Sequence, residues 1–165
     1  MHIRAATEAD RQVMLAIING AAMRYRGVIP ADRWHEPYMS AVELDREIAD
    51  GVVFSVAEDQ EGVTGVMGIQ DRGDVALVRH AYVAPGRQRT GVGTALLRHL
   101  EATIDRPVLI GTWADASWAI DFYQRNGFTL LGTAETRQVL SRYWSIPERQ
   151  IETSVVLRKD AIRSA

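Results

Sequence analysis

The first residues with a spacing that could do chemistry are Gly91 and Gly93, which sit between a β-like run ending near Val83 and an amphipathic helix. Glycine has no Cβ, so such a turn lets the backbone close on a ligand, and the helix it opens leaves its first N–H groups unpaired. The combination favours an anion, and a phosphate is the usual one. Val92, Leu96, Leu97 and Leu100 fall on one buried face of that helix, while Arg98 and Glu101 point outward. A nucleoside-triphosphate loop needs Gly, four residues, Gly-Lys and Ser or Thr, and no such run is present. A dinucleotide fingerprint is weakened as well: Leu96 stands where its third small residue belongs, and no suitable acidic residue follows about 20 positions on.

What remains is Gln88-x-x-Gly91-x-Gly93 after a strand ending in Val83-x-Pro85, and this resembles the acyl-CoA loop of the GNAT superfamily of N-acetyltransferases. A second stretch carries the same likeness. Ala119-Ile120-Asp121-Phe122-Tyr123, closed by Gly127-Phe128, is similar to the family's Ala-Ile-x-Phe-Tyr-x-x-x-Gly-Phe helix at every fixed position. The opening Arg4-x-Ala6-Thr7-x-x-Asp10 also resembles the family's start, so the likeness spans most of the chain. One position departs: Ala116 stands where the family often has an asparagine, which leaves a pantetheine contact missing or supplied by Ser117.

The resemblance implies acetyl-CoA as cofactor. It implies that the backbone at Ala81, Tyr82 and Val83 holds the pantetheine arm and the thioester oxygen. The turn Gln88, Arg89, Thr90, Gly91, Val92, Gly93 and Thr94 would hold the pyrophosphate, with Ser117, Ala119 and Tyr123 alongside the cofactor. Acetyl transfer to an amine needs a neutral amine, close approach, a home for the oxyanion and a proton for the leaving thiolate. By resemblance Tyr123 is the proton donor.

The amine's base is less defined. Strand alternation places Leu77, Arg79, Ala81 and Val83 on one face and Val78, His80 and Tyr82 on the other, with the first set towards the cleft by resemblance. Where several relatives carry a glutamate base, this chain has Leu77. His80 has a suitable pKa, but alternation aims it away unless a bulge re-aims it. His35 and Glu36 are rival bases. Arg79 has a planar fork suited to an anionic group on the acceptor, or to pairing with Asp71 or Asp74. Trp34, Tyr38, Trp113, Tyr143 and Trp144 could wall an acceptor pocket or serve as core.

The elements that must position these residues follow from pattern. Strands are predicted over residues 2–5, 52–58, 63–70, 75–83, 108–112, 129–134 and 153–158. Helices are predicted from the Thr7 cap to about Met23, from the Ser40-Ala41-Val42-Glu43 capping box to Gly51, from the glycine turn onward, and over residues 117–126. Residues 136–150 read as an ordered polar and aromatic loop. The expected fold is a single α/β (α+β) domain over residues 1–165: a mixed, mostly antiparallel sheet of about seven strands flanked by about four helices. The last strand could complete the sheet or pair across a homodimer.

Composition narrows the partners. A net charge of −2 gives no sign of a nucleic-acid or membrane surface, and the absence of cysteine excludes disulfides, thiol catalysis and cysteine-ligated metal. No apolar run approaches a membrane span and no signal peptide opens the chain, so a cytoplasmic protein is expected. The sequence therefore reads as an acetyl-CoA-dependent N-acetyltransferase without metal, acting on a small-molecule amine that also carries an anionic group. The alternatives are a non-catalytic acyl-CoA-binding module and a peptide or protein N-acetyltransferase.

Overall fold

A computed structural model describes residues 1–161. Strand β1 (His2–Ala5) leads through a short 3-10 turn into α1 (Arg11–Ala22), and a 3-10-rich connection reaches α2 (Ala41–Ala49). The hairpin of β2 (Val52–Asp59) and β3 (Gly62–Asp71) precedes β4 (Ala76–Val83), α3 (Val92–Glu101), β5 (Val108–Trp113) and α4 (Ser117–Arg125). The chain ends in β6 (Thr129–Leu130), α5 (Thr133–Tyr143), α6 (Glu148–Glu152) and β7 (Ser154–Lys159). The sheet runs β1-β2-β3-β4-β5-β7-β6. Every ladder is antiparallel except β4–β5.

Apolar spacing decides which face each helix covers. Met14, Ile17 and Ile18 of α1 and Leu44 of α2 bury against Val52, Phe54, Val56 and Val66 on one face of the sheet. Leu96, Leu97 and Leu100 of α3 and Tyr123 of α4 bury against Ala57, Met67, Val78 and Ile110 on the other. Caps follow the sequence signals: the Ser40 hydroxyl accepts from the Glu43 N–H, and Gly51 and Gly127 both have positive φ.

The C-terminal third departs from the sequence reading. Residues 129–134 hold only the two-residue β6, and residues 136–150, expected to be a loop, contain most of α5 and the start of α6. That brings the α-helices to six among the described residues, where about four were expected. The physical reason is a thin stripe: α5 buries only Thr136 and Leu140, one turn apart, and the rest of the helix is too polar to show a 3.6 period. Leu140 joins Val75, Leu77, Leu109 and Val156, so α5 lies over β4, β5 and β7. Strand β7 completes the sheet by pairing both β5 and β6.

Near the N-terminus Asp10 is nearly buried, and its carboxylate accepts from Arg4 at 2.7 and 3.0 Å and from the Thr7 N–H at 2.7 Å. The Arg4 guanidinium, then the Thr7 N–H, hold this carboxyl well below the usual carboxylate range. The depressed folded value means the contribution is present above the unfolded pKa of about 4 and drains away as pH falls below it. Asp10→Asn is expected to cost about 2 kcal/mol at pH 7, the order of a charge-assisted hydrogen bond. The gap between the urea unfolding curves of the two proteins should narrow steadily as pH falls from 4 towards 2; an equal gap at both ends overturns the assignment.

Candidate functional site

The β4–β5 ladder covers only Ala76–Val78 against Val108–Ile110. Past that point β4 stays with β3, which pairs it as far as Val83, while β5 stays with β7 as far as Trp113. The two strands therefore diverge, and the side of β4 that faced β5 is left with backbone groups no strand satisfies. A cavity of about 1410 Å³ occupies the split.

The register of β4 changes inside this split. Val66 pairs Tyr82 but Gly68 pairs Arg79, so His80 and Ala81 together oppose Met67 in a β-bulge, and His80 takes a φ of 58°. The extra residue reverses the alternation. Val78, Ala81 and Val83 pack towards α3 and α4, whereas Leu77 joins the cluster under α5 and Tyr82 the cluster under α1 and α2. The sequence reading, which put Leu77, Arg79, Ala81 and Val83 on one face and His80 with Val78 on the other, is corrected. His80 lines the cavity, with its ring 6.0 Å from that of Phe54 and its Nε2 3.4 Å from Glu47 Oε1.

The glycine turn forms one end of the cavity. Gly91 caps α3 with φ 88°, Arg89 also has positive φ, and the first helical bond runs from the Ala95 N–H to the Gly91 carbonyl. The N–H groups of Val92, Gly93 and Thr94 are thus left for a ligand. A Cβ on Gly93 would come within 3.2 Å of Phe122, so this glycine also sets how closely α3 and α4 approach. Gln88, Arg89, Gly91, Gly93 and Thr94 line the cavity. Thr90 and Val92 do not: the Thr90 hydroxyl donates to the Arg87 carbonyl and the Val92 side chain is core. Ala119 lines the cavity, while Ser117 stands exposed on the first turn of α4.

Tyr123 hangs from α4 over the split, only 7% exposed, edge-on to Phe128. Burial, then the neighbouring Tyr25, pushes its hydroxyl well above the ordinary tyrosine range. Burial likewise pushes Tyr25 up to about 12 and raises Tyr82 strongly. All three phenols stay protonated at neutral pH and can donate a proton. The arginines Arg89, Arg98 and Arg125 on the α3–α4 side, and Arg24 and Arg79 opposite, face one carboxylate among the lining residues, Asp121. Such a cavity suits a polyanion.

The acceptor wall differs in part from expectation. Tyr38, Trp113 and Trp144 line the cavity, but Trp34, Glu36 and Tyr143 do not. Trp34 Nε1 donates to Glu36 Oε1 at 3.2 Å, and Glu36 also lies 3.7 Å from Arg26. His35 Nδ1 lies 2.8 Å from the Pro37 carbonyl oxygen. The Tyr143 hydroxyl donates to Asp74 at 2.8 Å. Arg79 reaches the cavity, yet its guanidinium donates to Gln70 at 3.0 Å and to Glu47 at 3.4 Å, while Asp71 pairs with Arg106 and Asp74 with Arg142. Arg24, Tyr25 and Trp118 also line the cavity and were not among the expected site residues. Arg24 lies 4.3 Å over the Trp118 ring, and Tyr25 is tilted against that ring at 5.4 Å. The crowding of aromatics after residue 24 was the available signal. The contact of the 3-10 turn Met23–Tyr25 with α4 joins residues about 93 apart in the chain, which no local pattern encodes.

Residues 50–130 match the model of the acetyltransferase (GNAT) domain. No curated protein sequence matches the chain significantly. Among solved structures, a GNAT-family acetyltransferase from Staphylococcus aureus Mu50 superposes with a TM-score of 0.73 at 14% identity, covering 97% of this chain and 98% of that one. The PaiA N-acetyltransferase of Thermoplasma acidophilum, solved with coenzyme A, has a TM-score of 0.73 at 17% identity, covering 96% and 98%. A ribosomal-protein-alanine N-acetyltransferase from Brucella melitensis has a TM-score of 0.66 at 22% identity, covering 97% and 99%. With its glycine turn and the Tyr123 helix inside the matched region, the chain carries a GNAT acetyltransferase domain over residues 50–130, within a divided mixed sheet that superposes on those solved structures along almost its whole length.

Proposed function

We propose that the protein transfers the acetyl group of acetyl-CoA directly to the primary amine of a small molecule. The observation that carries this reading is the divergence of β4 from β5 beyond Val78 and Ile110, with the α3 N-terminus on one side and the Tyr123 hydroxyl over the gap. Coenzyme A fits what lines the gap. The free N–H groups at Val92, Gly93 and Thr94 suit a pyrophosphate, with Gln88 and Arg89 beside them. The unpaired edge of β4 at Ala81, Tyr82 and Val83 suits the amide-bearing pantetheine arm, which would lie along it as an added strand does. The bound cofactor supplies the activated acetyl thioester. The chain's part is to align it, to exclude water with Met67, Val78 and Phe122, and to protonate the departing sulfur from Tyr123.

The acceptor enters from the opposite side, between Tyr25, Tyr38 and Trp118. Arg24 forms no ion pair among the described residues and lies over the Trp118 ring, so it, with the cavity edge of Arg79, would take a carboxylate or similar anion on the acceptor. No helix among the described residues is long and apolar enough to cross a membrane. Coenzyme A release should be followed with L-amino acids, spermidine, kanamycin and alanine-terminated tripeptides. An anionic amino acid is expected to be the fastest, with Arg24→Ala raising its KM about tenfold and leaving acetyl-CoA affinity unchanged. Preference for the tripeptides would transfer the assignment to a peptide N-acetyltransferase, and acetyl-CoA binding without transfer would make the protein a binding module.

A further inference from the structure

Among the lining residues there is one histidine, the side-chain type that exchanges protons near neutral pH, and it is the one the bulge turns inward. His80 adopts φ 58°, a conformation uncommon for a residue with a side chain, though histidine tolerates it better than most. Without the extra residue, alternation would place His80 on the face of Val78, under α3. With it, the imidazole swings to the α2 side at the foot of the cavity.

There Nε2 is buried, without a hydrogen bond but 3.4 Å from Glu47 Oε1, in ion-pair range, so Nδ1 is the ring nitrogen left to take a proton. Glu47 is itself held: Arg79 donates to the same Oε1 at 3.4 Å, Arg79 donates to Gln70 Oε1 at 3.0 Å, and Gln70 Nε2 donates to the Asp50 carbonyl at 2.9 Å. The chain of contacts ties the carboxylate of α2 to β3, β4 and the end of its own helix, so it cannot swing away from the ring. The charged groups around His80 are Glu47 and, through it, Arg46 from α2, and Arg79 from its own strand. Strand β2 offers Phe54 and β3 offers Gln70, neither of which titrates. The phenols Tyr25, Tyr38 and Tyr82 complete the surroundings on the cavity side.

We infer that His80 is the base that takes the proton from the acceptor amine, and that Glu47 is the residue that positions its ring; this rests on the acetyl-transfer reading above. An ammonium acceptor gives one proton to His80 Nδ1, which later releases it to solvent. The freed lone pair attacks the thioester carbonyl carbon, so that a C–N bond forms and the C–S bond breaks. As the C–S bond breaks the sulfur takes the Tyr123 proton, and the second proton lost by the nitrogen passes through water to the Tyr123 oxygen, so the transfer step is proton-neutral. Glu47 is negative throughout: the His80 ring, burial notwithstanding, holds its carboxyl below the usual range. That coupling is reciprocal, so removing the Glu47 charge makes the ring easier to deprotonate.

The test uses the full chain and two readouts. Ring NMR of the four histidines should show one, assigned to His80 by its loss in His80→Asn, whose titration moves about one unit to lower pH in Glu47→Gln. In parallel, kcat/KM with the fastest amine of the panel should rise with pH along a limb that coincides with that titration. His80→Asn, chosen because asparagine tolerates positive φ, should lose the limb and about 100-fold in rate, while Glu47→Gln should shift the limb to lower pH. A His80 titration indifferent to Glu47→Gln, or a limb that survives in His80→Asn, overturns the inference. Should His80→Asn not fold, the Glu47→Gln shift decides alone, with His80 assigned through its contacts to Phe54. Failure of acetyl-CoA to bind the wild-type protein by calorimetry would instead overturn the acetyl-transfer reading itself.

Discussion

Tyr123→Phe is expected to lower the single-turnover rate of acetyl transfer by about 100-fold to 1,000-fold while leaving acetyl-CoA affinity unchanged. The hydroxyl belongs to a ring that α4 buries to 7% exposure against Phe128, so removing one oxygen leaves the packing and the cavity wall in place. What disappears is the proton. A thiolate leaving from a thioester must be protonated or stabilised, and general acid catalysis of this kind contributes about 10²–10⁴-fold. Burial and the nearby Tyr25 push the Tyr123 hydroxyl upward, which keeps the proton on oxygen until a strong base, the nascent thiolate, appears beside it. The same shift means that Tyr123 adds no limb to the rate profile in the neutral range. An unchanged single-turnover rate in Tyr123→Phe would remove the tyrosine from the chemistry. A lost affinity with an unchanged rate would make it a binding residue.

The features legible in the sequence are those that a local rule encodes. The glycine turn, the Ser40 capping box, the hairpin at β2–β3 and the alternation of Leu77, Val78 and Arg79 all depend on residues within a few positions of one another, and each appears where expected. The bulge at His80 and Ala81 is different. No glycine or proline marks it in β4, because the residue that makes room for it lies on β3, twelve positions earlier in the chain. One unmarked insertion was enough to send His80 to the cavity and Tyr82 to the α1 side, since a strand's side chains alternate with period two. The same applies to Glu47: α2 reads as an ordinary capped helix, and only the packing of α2 on the sheet brings its carboxylate to Nε2 of His80. The position of Tyr123 could be read early because it travels with a contiguous helical motif; His80 could be named only as a candidate, because its place in the cavity depends on a bulge against β3 and on Glu47 of α2.

Gly68 is the residue that makes that assembly possible, and its replacement is the second large effect expected. It pairs with Arg79 at the register shift, and a Cβ there would lie 2.9 Å from the Arg79 carbonyl oxygen, 2.6 Å from Val52 Cγ1 and 3.1 Å from the Phe54 ring. A side chain such as Val52 can rotate away, but the carbonyl is part of the β3–β4 ladder and moves only with its strand. Gly68→Ala should therefore cost about 1–3 kcal/mol in urea unfolding, the range for overpacking a well-filled core. It should also displace the backbone immediately before His80 and uncouple that ring from Glu47. Gly65→Ala is the matched control. Its Cβ would meet Val92 Cγ1 at 2.7 Å and Leu96 Cδ1 at 3.0 Å, both side chains of α3 on the opposite face, with the Tyr82 carbonyl farther off at 3.5 Å. The strain there is transmitted to the helix whose N-terminus faces the cofactor end of the cavity. The two alanines, three residues apart on one strand, should thus separate by function: Gly68→Ala alters the pH dependence of transfer with acetyl-CoA affinity retained, and Gly65→Ala weakens acetyl-CoA with the pH limb retained. If Gly68→Ala unfolds at the wild-type urea midpoint and keeps the wild-type pH limb, the bulge does not depend on this glycine and the geometry that places His80 needs another explanation.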